Sequence, residues 1–236
     1  IGAMKCGTST LAAQLGLQPG IFMTDPKEPN FFSDDAVFAR GQGWYEALFA
    51  DAADGDIKGE ASTHYAKLPT HPHTLARMSE MLESPKLIYL IRDPVARAVS
   101  HYIHEWSMGV MSGDIDKAFA QHDALIDYSC YAMQIAPYVK QFGKANLLIL
   151  SLEKIRRFPM HKLIFDNPVA TRLRRALIPQ ALRDRIKAAR QMHERPELSA
   201  ALRAGLEQRF AQDYVELRKI FPERDDLCAS YPFVTD

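Results

Sequence analysis

The sequence predicts an α/β fold: a parallel sheet flanked by helices, with additional helices towards the C-terminus. Three observations predict it. Short apolar runs alternate with helical patterns across residues 1–150, as parallel strands joined by crossover helices require. Two of these runs, residues 86–91 and 146–150, are apolar almost throughout, as strands buried on both faces must be. The opening stretch from Ile1 to Leu11 is a glycine-containing loop that feeds directly into a helical pattern. At 236 residues the chain predicts one domain, with an α/β core over about 1–155 and a helical C-terminal part over about 165–225.

In the opening loop, Gly2 and Gly7 permit backbone angles that a side chain would oppose. Thr8 or Ser9 is expected to cap a helix over residues 10–15. A buried strand is expected before such a loop, and the sequence opens on Ile1 without a methionine, so the native N-terminus is expected upstream. Pro19-Gly20 turns the chain into a short strand, Ile21-Phe22-Met23. Residues 24–32 hold two prolines that exclude regular helix, and Phe31 and Phe32 can anchor this turn to the core. A short helix over 44–49, a strand over 56–60 and a helix over 74–82 follow. The strand over 86–91 ends in Arg92-Asp93-Pro94, and a helix over 95–107 carries Arg97, Ser100, His101, His104 and Glu105. Helices over 114–121 and 128–142 come next, the latter closed by Gly143. After the strand at 146–150, a basic helical segment with Arg172, Arg174, Arg175, Arg183, Arg185, Lys187 and Arg190 leads to an amphipathic helix over 197–220.

Composition excludes several classes. Lys+Arg and Asp+Glu both number 29, so no global charge calls for nucleic acid, and any anion site must be local. Cys6, Cys130 and Cys228 are odd in number and widely spaced, which gives neither a disulfide framework nor a zinc pattern and suits a reducing compartment. No apolar run reaches the ~20 residues of a membrane span. His71 and His73 lack the companions a metal site needs, so no metal is expected.

The loop carries the first chemical signal. A tight turn entering a helix gathers backbone N–H groups and the positive end of the helix dipole, which together attract anions. The nucleotide-binding spacing G-x-x-x-x-G-K-[ST] fits from Gly2 to Gly7, but Thr8 stands where the lysine belongs and the lysine is Lys5, inside the loop. That displacement counts against an ordinary ATPase or kinase and points to another phosphate ester. Arg92 lies at the carboxyl end of a buried strand, where open α/β sheets bind ligands. Arg92-Asp93 would also suit a strand-end salt bridge, and Arg97 and Ser100 lie three apart on one helical face.

Taken together, Lys5-Cys6-Gly7-Thr8-Ser9-Thr10-Leu11, Lys27-Glu28-Pro29-Asn30-Phe31-Phe32 and the segment from Arg92 to Tyr102 resemble the sulfotransferases that use 3′-phosphoadenosine 5′-phosphosulfate. The likeness is greatest to the heparan sulfate and carbohydrate branch and its bacterial relatives. Residues 59–65, 142–150 and 209–217 resemble that branch too. The resemblance implies a P-loop NTPase-like fold and a metal-independent transfer to an acceptor hydroxyl on a carbohydrate, lipid or secondary metabolite, with 3′,5′-ADP as product. It implies that Gly7, Thr8, Ser9 and Thr10 hold the 5′-phosphosulfate, that Lys5 reaches the oxygen bridging sulfur and phosphorus, and that Arg92 and Ser100 bind the 3′-phosphate. Glu28 would be the general base, with His64 and His101 as rivals. A small-molecule kinase needing ATP and Mg²⁺, and an inactive nucleotide-binding module, are the competing readings.

Two departures accompany the resemblance. Ala61 stands where the heparan-type enzymes usually carry lysine. A basic, glycine-containing loop is expected after the strand at 146–150, yet residues 151–159 pass quickly into 160–163, leaving Arg156 and Arg157 as substitute donor contacts. The resemblance and the composition favour a bacterial, cytoplasmic protein.

Overall fold

Strand β3 (Leu87–Ile91) is the axis of the sheet, with every residue but Ile88 buried. The computed structural model describes residues 1–157, 192 and 194–234. On one side β3 pairs in parallel with β4 (Leu147–Ser151), from Leu87 against Leu147 to Ile91 against Ser151. On the other side the opening residues run parallel to it: the Leu90 amide donates to Gly2 O at 2.7 Å and the Ala3 amide to Leu90 O at 2.8 Å. The chain therefore enters the first loop from a strand position, as expected. A second parallel pair joins β1 (Ile21–Met23) to β2 (Ile57–Gly59). Among the described residues the two pairs form separate sheets, with an apolar cavity of about 480 Å³ bounded by Ile1, Ile21, Ile57, Leu87 and Ile88 between them.

Among the described residues the helices are α1 (Thr8–Leu15), α2 (Asp35–Phe38), α3 (Gln42–Ala47), α4 (Thr74–Met81), α5 (Pro94–Ser107), α6 (Ile115–Gln121), α7 (Ala124–Asp127), α8 (Tyr131–Phe142), α9 (Leu152–Arg157) and α10 (Ala200–Ile220). Local chemistry sets several of their ends. Asp93 accepts from the amides of Val95 and Ala96, and Pro94 occupies the first helical position, where its missing N–H costs nothing. Asp93→Ala is expected to lower stability by about 1 kcal/mol, the usual value of such a cap, in a urea titration with unchanged m. Helix α8 is capped from a distance: Asp213, on α10, accepts from the amides of Ala132 (2.9 Å) and Met133 (3.2 Å). A helix expected over 128–142 begins three residues later, at Tyr131, because Cys130 takes a non-helical backbone (φ −80°, ψ 82°) at the N-cap.

Helix α10 ties two cores together. Leu206 and Phe210 pack beneath α5 with Val95, Val99, Tyr102 and Leu125. One and two turns later, Tyr214 and Leu217 join Tyr89, Ile91, Tyr131 and Tyr138 around β3. Where a loop was expected after β4, α9 begins at once, with Glu153 bonded to the Asp93 amide (3.0 Å) and the Ser230 hydroxyl (2.7 Å). The basic segment 172–190, residues 158–163 and the side chains of Arg156 and Arg157 lie outside the described residues, so the substitute donor contacts fall there too. Among the described residues no helix is long and apolar enough to cross a membrane.

Candidate active site

The first loop makes a helix N-terminus that has no side-chain cap among the described residues. Helix α1 starts at Thr8, two residues earlier than expected, with Gly7 at the N-cap in the left-handed region (φ 89°) and no side-chain cap. This corrects the expected role of Thr8 and Ser9: both lie in the first turn of the helix. Among the described residues the amides of Gly7, Thr8 and Ser9 donate to no protein group, and the hydroxyls of Thr8, Ser9 and Thr10 are equally unengaged. Three orphan amides at a helix start call for an acceptor, and an anion supplies the best one.

The floor of this loop is fixed. Cys6 is fully buried, 3.8 Å from the Tyr131 hydroxyl, and burial pushes its thiol up to about 12, which rules it out as a nucleophile near neutrality. The same hydroxyl donates to Arg92 O at 2.9 Å and accepts from the Arg92 amide at 3.4 Å. Arg92 in turn donates from Nη1 to Lys5 O at 3.2 Å, so the loop and the strand-end arginine, 87 residues apart in sequence, are in contact. Asp93 is spent on its cap, and among the described residues Arg92 has no carboxylate partner. The strand-end salt bridge is therefore not formed, and the guanidinium keeps donors for an anion. Ser100 lies two turns further along α5, half-buried, its hydroxyl without a partner among the described residues. Arg97 does not join them. It is fully buried and donates to Ser129 Oγ (2.5 Å) and Leu125 O (2.7 Å).

The second loop presents Glu28. Phe31 and Phe32 are fully buried and pack on Tyr45, with ring centroids 4.7 and 5.0 Å away. Above this anchor the Glu28 amide donates to Ala61 O (3.1 Å) and the Asn30 amide to Ser62 Oγ (3.1 Å). Ser62 is held by Glu60, which also accepts from Tyr65 (2.6 Å) and Tyr45 (3.3 Å). The Glu28 carboxylate accepts from Lys27 Nζ at 2.5 Å and Thr63 Oγ1 at 3.0 Å. Burial alone would push its pKa up. The hydrogen bonds and charge of Lys27, with Thr63, outweigh burial and hold the carboxyl below its usual range.

Lys5 (φ 67°), Glu28 (φ 61°) and Asn30 (φ 54°) are the non-glycine residues with left-handed backbone among those described. Each such conformation costs on the order of 1–2 kcal/mol. All three fall in these two loops, which is where strain is retained for function.

Helix α5 carries His101, His104 and Glu105. His104 is pushed down by burial first, then by the charge of Lys5, with Glu105, Lys67 and Glu28 also acting on it. His64, stacked on His71 with centroids 4.8 Å apart, is driven by burial down to about 4. His101, 3.5 Å from Glu105, is driven by burial and the Arg97 charge down to about 2. Both are neutral at pH 7. Among the described residues no group of three or more His, Cys, Asp or Glu could hold a metal. Sequence reasoning missed Thr63, Lys67, Glu105 and Tyr131. Glu105 had a signal, one helical turn beyond His101, whereas Thr63 reaches Glu28 only through folding.

Among the described residues, a parallel sheet, an uncapped helix N-terminus and a strand-end arginine without a carboxylate partner define an α/β protein whose loop and strand end suit an anion. The comparisons name the family. The sulfotransferase domain family matches residues 1–164, and the chain belongs to it. It is 33% identical over 167 residues to human heparan sulfate glucosamine 3-O-sulfotransferase 3B1, covering 70% of this chain and 39% of that protein. It is 35% identical over 105 residues to the membrane-associated sulfotransferase kil1 of Dictyostelium discoideum, covering 43% and 21%. The chain thus spans about two-fifths of the length of the heparan sulfate relatives it matches. The crystal structure of a sulfotransferase from Alicyclobacillus acidocaldarius shares the fold, with a TM-score of 0.68 over 93% of both chains at 24% identity.

Proposed function

We propose that this chain carries the catalytic centre of a sulfotransferase that moves the sulfuryl group of 3′-phosphoadenosine 5′-phosphosulfate to an acceptor hydroxyl, releasing 3′,5′-ADP. The acceptor class is a carbohydrate, lipid or secondary metabolite, and the relatives' action on heparan sulfate glucosamine favours the first. The observation that carries the reading is the Arg92-to-Lys5 contact, which sets a guanidinium with no carboxylate partner among the described residues against a loop of orphan amides. The donor's two anionic ends suit these groups: the amides and hydroxyls from Gly7 to Thr10 for the phosphosulfate, and Arg92 with Ser100 for the 3′-phosphate. An arginine fork matches a phosphate dianion in geometry and charge.

The donor, when bound, supplies an activated sulfuryl group. Glu28 takes the proton from the acceptor hydroxyl, with Lys27 and Thr63 holding the carboxylate in place and ionised. Lys5 presents its ammonium where negative charge develops on the leaving oxygen. The three free cysteines fit a reducing compartment, and we include a cytoplasmic, bacterial setting in the proposal. A thermal-shift titration tests the donor. 3′,5′-ADP is expected to raise the melting temperature without metal and more than 5′-AMP does. Stabilisation by ATP only with Mg²⁺, and none by 3′,5′-ADP, would favour the kinase reading.

A further inference from the structure

The charges around His104 are unevenly matched. Glu28 is engaged by Lys27 and Thr63, and Glu105 stands 3.5 Å from His101. Among the described residues neither the Lys5 nor the Lys67 ammonium has a hydrogen bond or an ion pair. Both ammonium groups are therefore left without a direct ion-pair partner among the described residues, and Glu105 stands against an imidazole that is itself neutral. The transfer proposed above uses Lys5 and gives no task to Lys67.

Lys67 is placed with some care. It ends the 3-10 turn Thr63–Ala66, whose first residue holds Glu28, and its carbonyl accepts from the His71 amide at 3.1 Å. Its ammonium lies over the ring of Tyr128, 5.7 Å from the centroid. That ring is buried, bonded through its hydroxyl to Thr70 and stacked on His101 at 5.5 Å. The ammonium thus rests beside an aromatic face, and Glu28 and Glu105 act on it through their charge without a direct contact. Half-burying an ammonium without a counter-ion is costly, and a cation–π contact offsets only part of that cost. Position 61, at the near end of the same segment, is alanine, and only its carbonyl serves the Glu28 amide.

We infer that Lys67 is a specificity-determining residue which binds an anionic substituent, sulfate or carboxylate, on the acceptor beside the hydroxyl presented to Glu28. The inference rests on the sulfotransferase reading for the position of that hydroxyl. Acceptors without such a group lose this contact and bind more weakly, while the transfer step is unaffected.

Calorimetric titration with a heparin-derived tetrasaccharide and with the uncharged chitotetraose, each with and without saturating 3′,5′-ADP, tests it. The wild-type protein is expected to prefer the sulfated sugar. Lys67→Met is expected to weaken that sugar's binding about tenfold, leave chitotetraose and 3′,5′-ADP unchanged, and be rescued by Lys67→Arg. Equal binding of the sulfated sugar by wild type and Lys67→Met, or no preference in the wild type, overturns the inference. Failure of 3′,5′-ADP to bind would instead sink the donor assignment, and the nucleotide-free titrations would still judge Lys67. A variant that lowers kcat with unchanged KM for both sugars would assign Lys67 to the transferred group and overturn the acceptor role.

Discussion

Glu28→Gln is expected to reduce kcat by ~10²–10⁴ while leaving 3′,5′-ADP affinity unchanged, the range of a lost general base. The amide keeps the shape of the carboxylate and can still accept from Thr63, so the turn should stand. What goes is the ability to accept a proton. The pH profile shows why substitution is the decisive test. Lys27 and Thr63 hold the Glu28 carboxyl below its usual range, so the ionised base persists at neutral pH and is lost only as pH falls through that lowered value. His64, with a pKa of about 4, and His101, with one of about 2, would also remain unprotonated through that range. An acid limb well below pH 6 is therefore expected with any of the three as base. Near-wild-type turnover in Glu28→Gln, measured with sulfur-labelled donor, would move the role to a histidine.

Lys5→Met is expected to lower kcat by roughly 10²–10³, the usual cost of removing one group that stabilises developing negative charge. Donor affinity should change far less, because the orphan amides and Arg92 remain. Methionine keeps the Cβ at φ 67°, so the loop strain is common to both proteins and does not confuse the comparison. Burial and then the neighbouring Arg92 charge pull the Lys5 pKa below its ordinary value. The catalytic ammonium is present below that lowered value and lost as pH rises through it. The wild-type alkaline limb should thus fall earlier than for an ordinary lysine, and Lys5→Met should abolish it. An equal loss of donor binding and kcat would make Lys5 a binding group only.

Much of this site was legible because its residues sit at fixed offsets from strand ends. The run from Leu87 to Ile91 is apolar for a physical reason, burial between β4 and the opening residues, and a parallel strand puts Arg92 at its ligand-facing end. Lys5 was displaced visibly from the nucleotide-binding spacing. The capping was less legible. Thr8 and Ser9 are good cap residues, but Gly7 alone takes the left-handed angle that starts α1, which frees their hydroxyls. Long-range partners left no trace in sequence: Asp213 capping α8, Tyr131 clamping Arg92, and Thr63 holding Glu28 are each set by packing. The burial of Arg97 was not legible either, because helical spacing gives a face but not what covers it.

The central claim is that one nucleotide spans the α1 amides and the Arg92 corner. A crystal structure of the 3′,5′-ADP complex measures this directly. The 5′-phosphate is expected on the amides from Gly7 to Thr10 and the 3′-phosphate on Arg92 and Ser100, with Glu28 facing the space beyond the 5′-phosphate. A nucleotide bound elsewhere, or a 3′-phosphate that leaves Arg92 and Ser100 untouched, would contradict it.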